Sequence, residues 1–172
     1  MAEAITAAFE SGLSRTHGAV EWDPPLTQTE GADPAIIRVA GPIQVQIQLL
    51  SSGGYPIWPT EEFDLEQRYA DAPSASLTVL TPDAFAAAKM SAWHDRRAPR
   101  DLYDLWALGR EGITSEATAL YRKLGPTGSN PAPYLFTKAP SDDEWDAALS
   151  HQTIVAARPQ AALDEVRAAW PA

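Results

Sequence analysis

The apolar residues of this chain change their spacing once, near residue 80, and that change limits the folds open to it. In AIIRVAGPIQVQIQLL, Ala35 to Leu50, the period is two. Ile43, Val45, Ile47 and Leu49 fall on one side and Gln44, Gln46 and Gln48 on the other, as in a half-buried strand. Gly41-Pro42 divides the stretch into a hairpin. AVEWD (Ala19–Asp23) and SLTVL (Ser76–Leu80) read as further strands. At Thr81-Pro82-Asp83 a helix N-cap is followed by proline at the first helical position. Beyond it the spacing predicts helices from Pro82 to about His94, from Pro99 to Leu108, over SEATALYRKLG, from the capping box Ser141-x-x-Glu144, and over Pro159–Trp170. A short N-terminal helix, Ala2 to Gly12 with Gly12 as its stop, precedes the strands. TEEFDLEQRYADAPSA is an acidic connection of no clear form, and SSGG (Ser51–Gly54) reads as a turn. The order predicts an α+β fold in which a small mixed or antiparallel sheet packs on a C-terminal helical bundle. Residues 1–80 supply the strand-rich part and 81–172 the helical part of a single compact domain.

Composition excludes several functions. Cysteine is absent, so there is no disulfide framework and no thiol chemistry, which fits a cytoplasmic protein. No apolar run is long enough to span a bilayer. MAEAITAAFESGL carries acids and lacks the basic start of a signal peptide. A net charge of −10 repels phosphates at long range, so no DNA binding is expected and a polyanion could be held only at a local basic patch. Lys89 to Arg100, with Lys89, Arg96, Arg97 and Arg100 against Asp95, is the one such patch.

In that segment, KMSAWHDRRAPRDLYDLWAL, Asp101 and Asp104 lie three apart and share a helix face. Two readings are open on the residues alone. Leu102, Leu105, Trp106 and Leu108 form a packing face, and Asp101 suits a first helical turn, where it could pair with Arg97 or Arg100. Alternatively, a lysine and several arginines beside paired carboxylates suit phosphate chemistry, which needs cations fixed where charge develops.

The strand SLTVL, the cap TPD and the following AFAAAKMSAWHDRRAPRDLYDLWAL resemble the later part of the AbiEii/AbiGii-type nucleotidyltransferase toxins, a branch of the polymerase-β-like superfamily. The resemblance rests on Lys89 inside a helix, then Ala92, then Arg96 or Arg97, then Arg100-Asp101-Leu102-Tyr103-Asp104-Leu105 opening the next helix. It implies transfer of a nucleotide from an NTP to an RNA acceptor, tRNA-like, with Mg2+, in a toxin–antitoxin or phage-defence setting with an antitoxin as partner. By the same resemblance Lys89 touches triphosphate oxygens, and Asp104, or next Asp101, completes the catalytic site. Arg96, Arg97 and Arg100 bind phosphates of the nucleotide or acceptor.

The family's Gly-Ser turn followed by Asp-x-Asp does not occur upstream of Lys89. The nearest imitation sets Ser11-Gly12 before Glu21-Trp22-Asp23. Where the family carries a third carboxylate on a strand, this chain has Gln44, Gln46 and Gln48, neutral amides that bind a hard divalent ion poorly. The expectation is an N-terminally shortened or catalytically impaired member, with no metal ligands assigned. The alternative is a non-catalytic nucleotide- or protein-binding domain on the same scaffold. His17, His94 and His151 have no metal-ligand spacing.

Overall fold

The computed structural model describes residues 1–30, 33–49, 53–67, 74–112, 114–152 and 154–170. The chain forms two compact units, Met1–Tyr55 and Pro56–Ala172.

The first unit holds α1 (Ala2–His17), β1 (Glu21–Asp23), a 3-10 turn at Leu26–Gln28, β2 (Ala35–Arg38) and β3 (Gln44–Ile47). The strands form an antiparallel sheet in the order β1-β2-β3. Its register places Trp22, Ile37 and Val45 in one row, with Glu21, Arg38 and Gln44 and then Asp23, Ile36 and Gln46 in the neighbouring rows. Ala35 and Ile37 are buried on the apolar side. Gly41, at φ 95°, makes the hairpin turn in a conformation that favours glycine. Helix α1 runs past Gly12, which sequence had marked as its stop, and ends at Gly18 with φ 74°. The half-buried stripe Ile5, Phe9 and Leu13 continues through Gly12 at helical spacing. That outweighs the roughly 1 kcal/mol a glycine costs inside a helix.

The second unit opens with a two-stranded antiparallel hairpin, β4 (Thr60–Asp64) and β5 (Ser76–Leu80), with Thr60 opposite Leu80 and Asp64 opposite Ser76. Strand β4 occupies the stretch that sequence left without form. It is exposed throughout and carries Glu61, Glu62 and Asp64, so no apolar alternation announces it. Residues 68–73 of that acidic connection, and Leu50, Ser51 and Ser52 beside the SSGG turn, lie outside the described residues.

Five helices follow: α2 (Pro82–Arg96), α3 (Pro99–Arg110), α4 (Thr114–Leu124), α5 (Asp142–Leu149) and α6 (Pro159–Ala169). Their shared core joins Met90 and Trp93 of α2, Leu102 and Leu105 of α3, Tyr121 of α4, Trp145 of α5 and Leu163 and Val166 of α6. A 3-10 turn at Pro133–Phe136 adds Leu135 and Phe136. Buried indoles find acceptors: Trp106 donates to Glu165 Oε2 at 2.9 Å and Trp145 to the Ala157 carbonyl at 3.0 Å. Trp22 and Trp58 are half-buried. The fold is α+β, helices with small antiparallel sheets. The passage from strands to helices at 80/81 falls inside the second unit.

Candidate active site

A short corner between α2 and α3 positions the basic segment. Helix α2 starts where Thr81 Oγ1 accepts from the Ala84 N–H at 3.3 Å, with Pro82 behind it. It ends at Arg97, which takes a left-handed conformation (φ 51°, ψ 34°) and donates its N–H to the Trp93 carbonyl. Ala98 is extended, as a residue before proline must be, and Pro99 starts α3. The chain therefore folds back at once, and Lys89 meets the first two turns of α3.

There the Lys89 Nζ lies 2.6 Å from Asp104 Oδ2 and 3.7 Å from Asp101 Oδ1. The ammonium also sits 5.4 Å from the centroid of the Phe85 ring, one turn back on α2. Asp101 is fully buried, yet both its oxygens are satisfied. Arg96 grips them as a fork, Nε to Oδ2 at 2.7 Å and Nη2 to Oδ1 at 2.9 Å. Lys89 and Asp104 reach solvent, with side chains 24% and 36% exposed. The Lys–Asp contact is thus an accessible ion pair resting on a buried Arg–Asp pair. Two cations face two carboxylates, so the cluster carries no net charge.

The other two arginines are held elsewhere. Arg97 donates Nη1 to the Leu135 carbonyl at 2.9 Å, and its guanidinium lies between the rings of Trp93 (5.2 Å) and Tyr134 (5.5 Å). Trp93 Nε1 donates to the same carbonyl at 3.0 Å. Arg100 donates Nε to the Ala148 carbonyl at 2.8 Å, tying α3 to α5. Of the six residues singled out from sequence, the structure gathers Lys89, Asp101, Asp104 and Arg96 into one cluster. Arg97 and Arg100 turn toward the Leu135 segment and α5.

Sequence did not single out the groups beside Arg97. His94 bridges two phenols, Nδ1 to Tyr121 Oη at 2.9 Å and Nε2 to Tyr134 Oη at 3.2 Å. Burial raises the pKa of the Tyr121 phenol. An open cleft of about 620 Å³ lies between the α2–α3 corner and α5, with Arg97, Pro99, Lys138 and Glu144 on its walls. Nothing in the spacing of those residues joins them; the fold does.

Among the described residues no group of three or more His, Asp or Glu could hold a metal ion. On the first unit's sheet, Asp23 is paired to Arg38 at 2.8 Å, and the strand beyond offers Gln44 and Gln46. Ser11-Gly12 lies inside α1 and makes no turn, which overturns the imitation of the Gly-Ser…Asp-x-Asp motif. Nucleotidyltransferases generally use Mg2+, and the described residues do not fit such a site.

An α+β chain whose Lys–Asp pair sits at a helix corner after a hairpin is of the nucleotidyltransferase-like class. The family model described as nucleotidyl transferase AbiEii toxin, type IV TA system, matches residues 1–170. The chain belongs to that family, and the match extends well beyond the segment that carries the resemblance in sequence. No curated protein and no solved structure matches it. The family is one of toxins in type IV toxin–antitoxin systems. No described helix is long and apolar enough to cross a membrane.

Proposed function

We propose that the corner of α2 and α3 binds the triphosphate of a nucleoside triphosphate, with Lys89 as the phosphate contact and Asp104 as the carboxylate it releases. The observation that supports this is the half-exposed Lys89–Asp104 pair at 2.6 Å. An accessible ion pair of this kind is worth about 1 kcal/mol net. A charge-assisted hydrogen bond to a phosphate oxygen is worth roughly 1.5–3 kcal/mol, so an arriving triphosphate can displace Asp104 from Lys89. The Arg96–Asp101 pair beneath keeps the lysine in place. Arg96 is the lesser phosphate ligand because Asp101 already occupies its fork.

The reaction such a site serves is attack of an RNA hydroxyl on the α-phosphorus. The new P–O bond forms as the bond to the β-phosphate oxygen breaks, and pyrophosphate leaves. Asp104, once released, is placed to accept the hydroxyl proton. With Gln44 and Gln46 where carboxylates would be needed, unaided transfer is weak or absent. The second reading, a non-catalytic nucleotide-binding member of the family, draws on those glutamines. Partnership with an antitoxin and a cytoplasmic location belong to either reading.

Calorimetry with each of the four common NTPs, with and without Mg2+, tests both readings. Binding that Lys89→Ala abolishes supports the triphosphate site. Labelling of RNA from radioactive NTP then distinguishes the enzyme from the non-catalytic protein. No binding of any NTP by the wild-type chain would remove both.

A further inference from the structure

The cleft beside Arg97 has properties that the Lys89 cluster does not need. Its walls combine apolar Pro99, Pro140, Ala147 and Ala148 with two cations, Arg97 and Lys138. It shares Lys138, Ala139 and Pro140 with a second depression of about 570 Å³, where Arg158 stands. The two make one continuous furrow, longer than a single nucleotide needs. In a chain with a net charge of −10, a row of Arg97, Lys138 and Arg158 along a furrow is unusual.

Arg97 is also prepared in a way that a helix end does not require. It is the one non-glycine residue with positive φ among the described residues, at a position where glycine is the favoured cap. Holding a side chain there costs on the order of 1 kcal/mol. What the cost secures is a guanidinium fixed between two rings, with one nitrogen bonded to Leu135 and its other N–H groups still free to donate. A cation ordered in advance loses little entropy on meeting a phosphate.

We propose that this furrow holds the single-stranded 3′ end of the acceptor RNA, with Arg97 and Lys138 on successive backbone phosphates and the Pro and Ala wall against a base. The inference rests on the nucleotide-transfer reading for its direction. Arg97 follows Lys89 by eight residues on α2, about 12 Å along the axis, so a strand seated in the furrow would run alongside the site where its terminal hydroxyl must react. A furrow extending past Lys138 suits a strand better than a mononucleotide. Acids moderate it. Glu144 is kept ionised by its bonds from Ser141 and by the nearby Lys138, and Asp146 pairs with Arg158 at 3.0 Å. Binding should therefore be weak and steep in salt.

The test is fluorescence anisotropy of a short 5′-labelled single-stranded oligoribonucleotide on the full chain, at several salt concentrations, beside calorimetry with ATP. Two variants serve. Lys138→Ala alters an exposed side chain, and Arg97→Gly removes the guanidinium while suiting the left-handed backbone. Each should lower RNA affinity about three- to tenfold and reduce the salt slope by about 0.7, leaving ATP affinity unchanged. RNA affinity equal to wild type in both variants overturns the proposal, as does a wild-type chain that binds no RNA. ATP affinity falling with RNA affinity would assign the furrow to the NTP instead and also overturn it. Cleft-dependent RNA binding by a chain that transfers nothing would leave this inference standing and remove only the enzymatic reading. Transfer activity with unaltered RNA affinity in both variants would do the reverse.

Discussion

At the scale of single residues, the pairing of Lys89 with Asp104 sets up an opposition that mutation can separate. The carboxylate 2.6 Å from the ammonium competes with any phosphate for it. Asp104→Asn removes the competitor without much change of shape. NTP affinity should rise about three- to tenfold on calorimetry, while RNA labelling falls to background because the proton acceptor is gone. Equal or weaker NTP binding by Asp104→Asn would mean that Lys89 does not meet the triphosphate. Asp101 behaves differently because it is wholly buried under two cations. Asp101→Asn leaves Arg96 and Lys89 without their buried partner, but both can turn to water. The expected loss is roughly 2–3 kcal/mol, read as a lowered urea midpoint. The four clustered residues were legible in sequence because their contacts are local, one helix turn or one tight corner apart. Arg97 and Arg100 were not. Their partners are the Leu135 and Ala148 carbonyls, 38 and 48 residues along the chain, and a backbone oxygen carries no sequence signal.

At the scale of elements, caps were the features most readable in advance. Thr81 with Pro82 and the capping box at Ser141 occur as read. Ser141 Oγ accepts from the Glu144 N–H, and Glu144 Oε2 accepts from the Ser141 N–H at 2.9 Å. Both partners are side chains or N–H groups within four residues, so the sequence contains the whole motif. Strand β4 was hidden because its only cause is the partner strand β5, and its acids give no period. The cap yields a prediction at this scale. Ser141→Ala should destabilise the protein by about 1 kcal/mol. Bonds from the Ser141 backbone, first, and its hydroxyl hold the Glu144 carboxyl below its ordinary pKa. A depressed carboxyl adds stability above its unfolded pKa and loses it as pH falls through the folded one. The gap between wild type and Ser141→Ala should therefore be full at neutral pH and narrow below pH ~4. Thermal melts across that range measure it; a gap that widens in acid would contradict the cap.

At the scale of the whole molecule, the division at Tyr55–Pro56 separates the two ingredients of a nucleotidyltransferase. Lys89, Asp101, Asp104 and Arg97 all belong to the second unit. The first unit holds the sheet on which this chain shows Gln44 and Gln46. The extended core of buried residues, from Ala86 to Trp170, also lies wholly in the second unit. A segment of residues 56–172 is long enough to bury such a core by itself. It should melt cooperatively, with a near-ultraviolet dichroism signal from its buried Trp93, Trp145 and Trp170. Leu163→Ala, emptying a fully buried site on α6, should cost about 2–5 kcal/mol in this segment as in the full chain. The functional consequence is sharper. If phosphate binding depends only on the α2–α3 corner, the isolated segment keeps the NTP affinity of the full chain within about twofold (on the order of 0.4 kcal/mol), and keeps it without Mg2+. A folded segment that has lost NTP binding would show that groups of the first unit complete the site, and the triphosphate would then have to be placed against that sheet rather than at the helix corner alone.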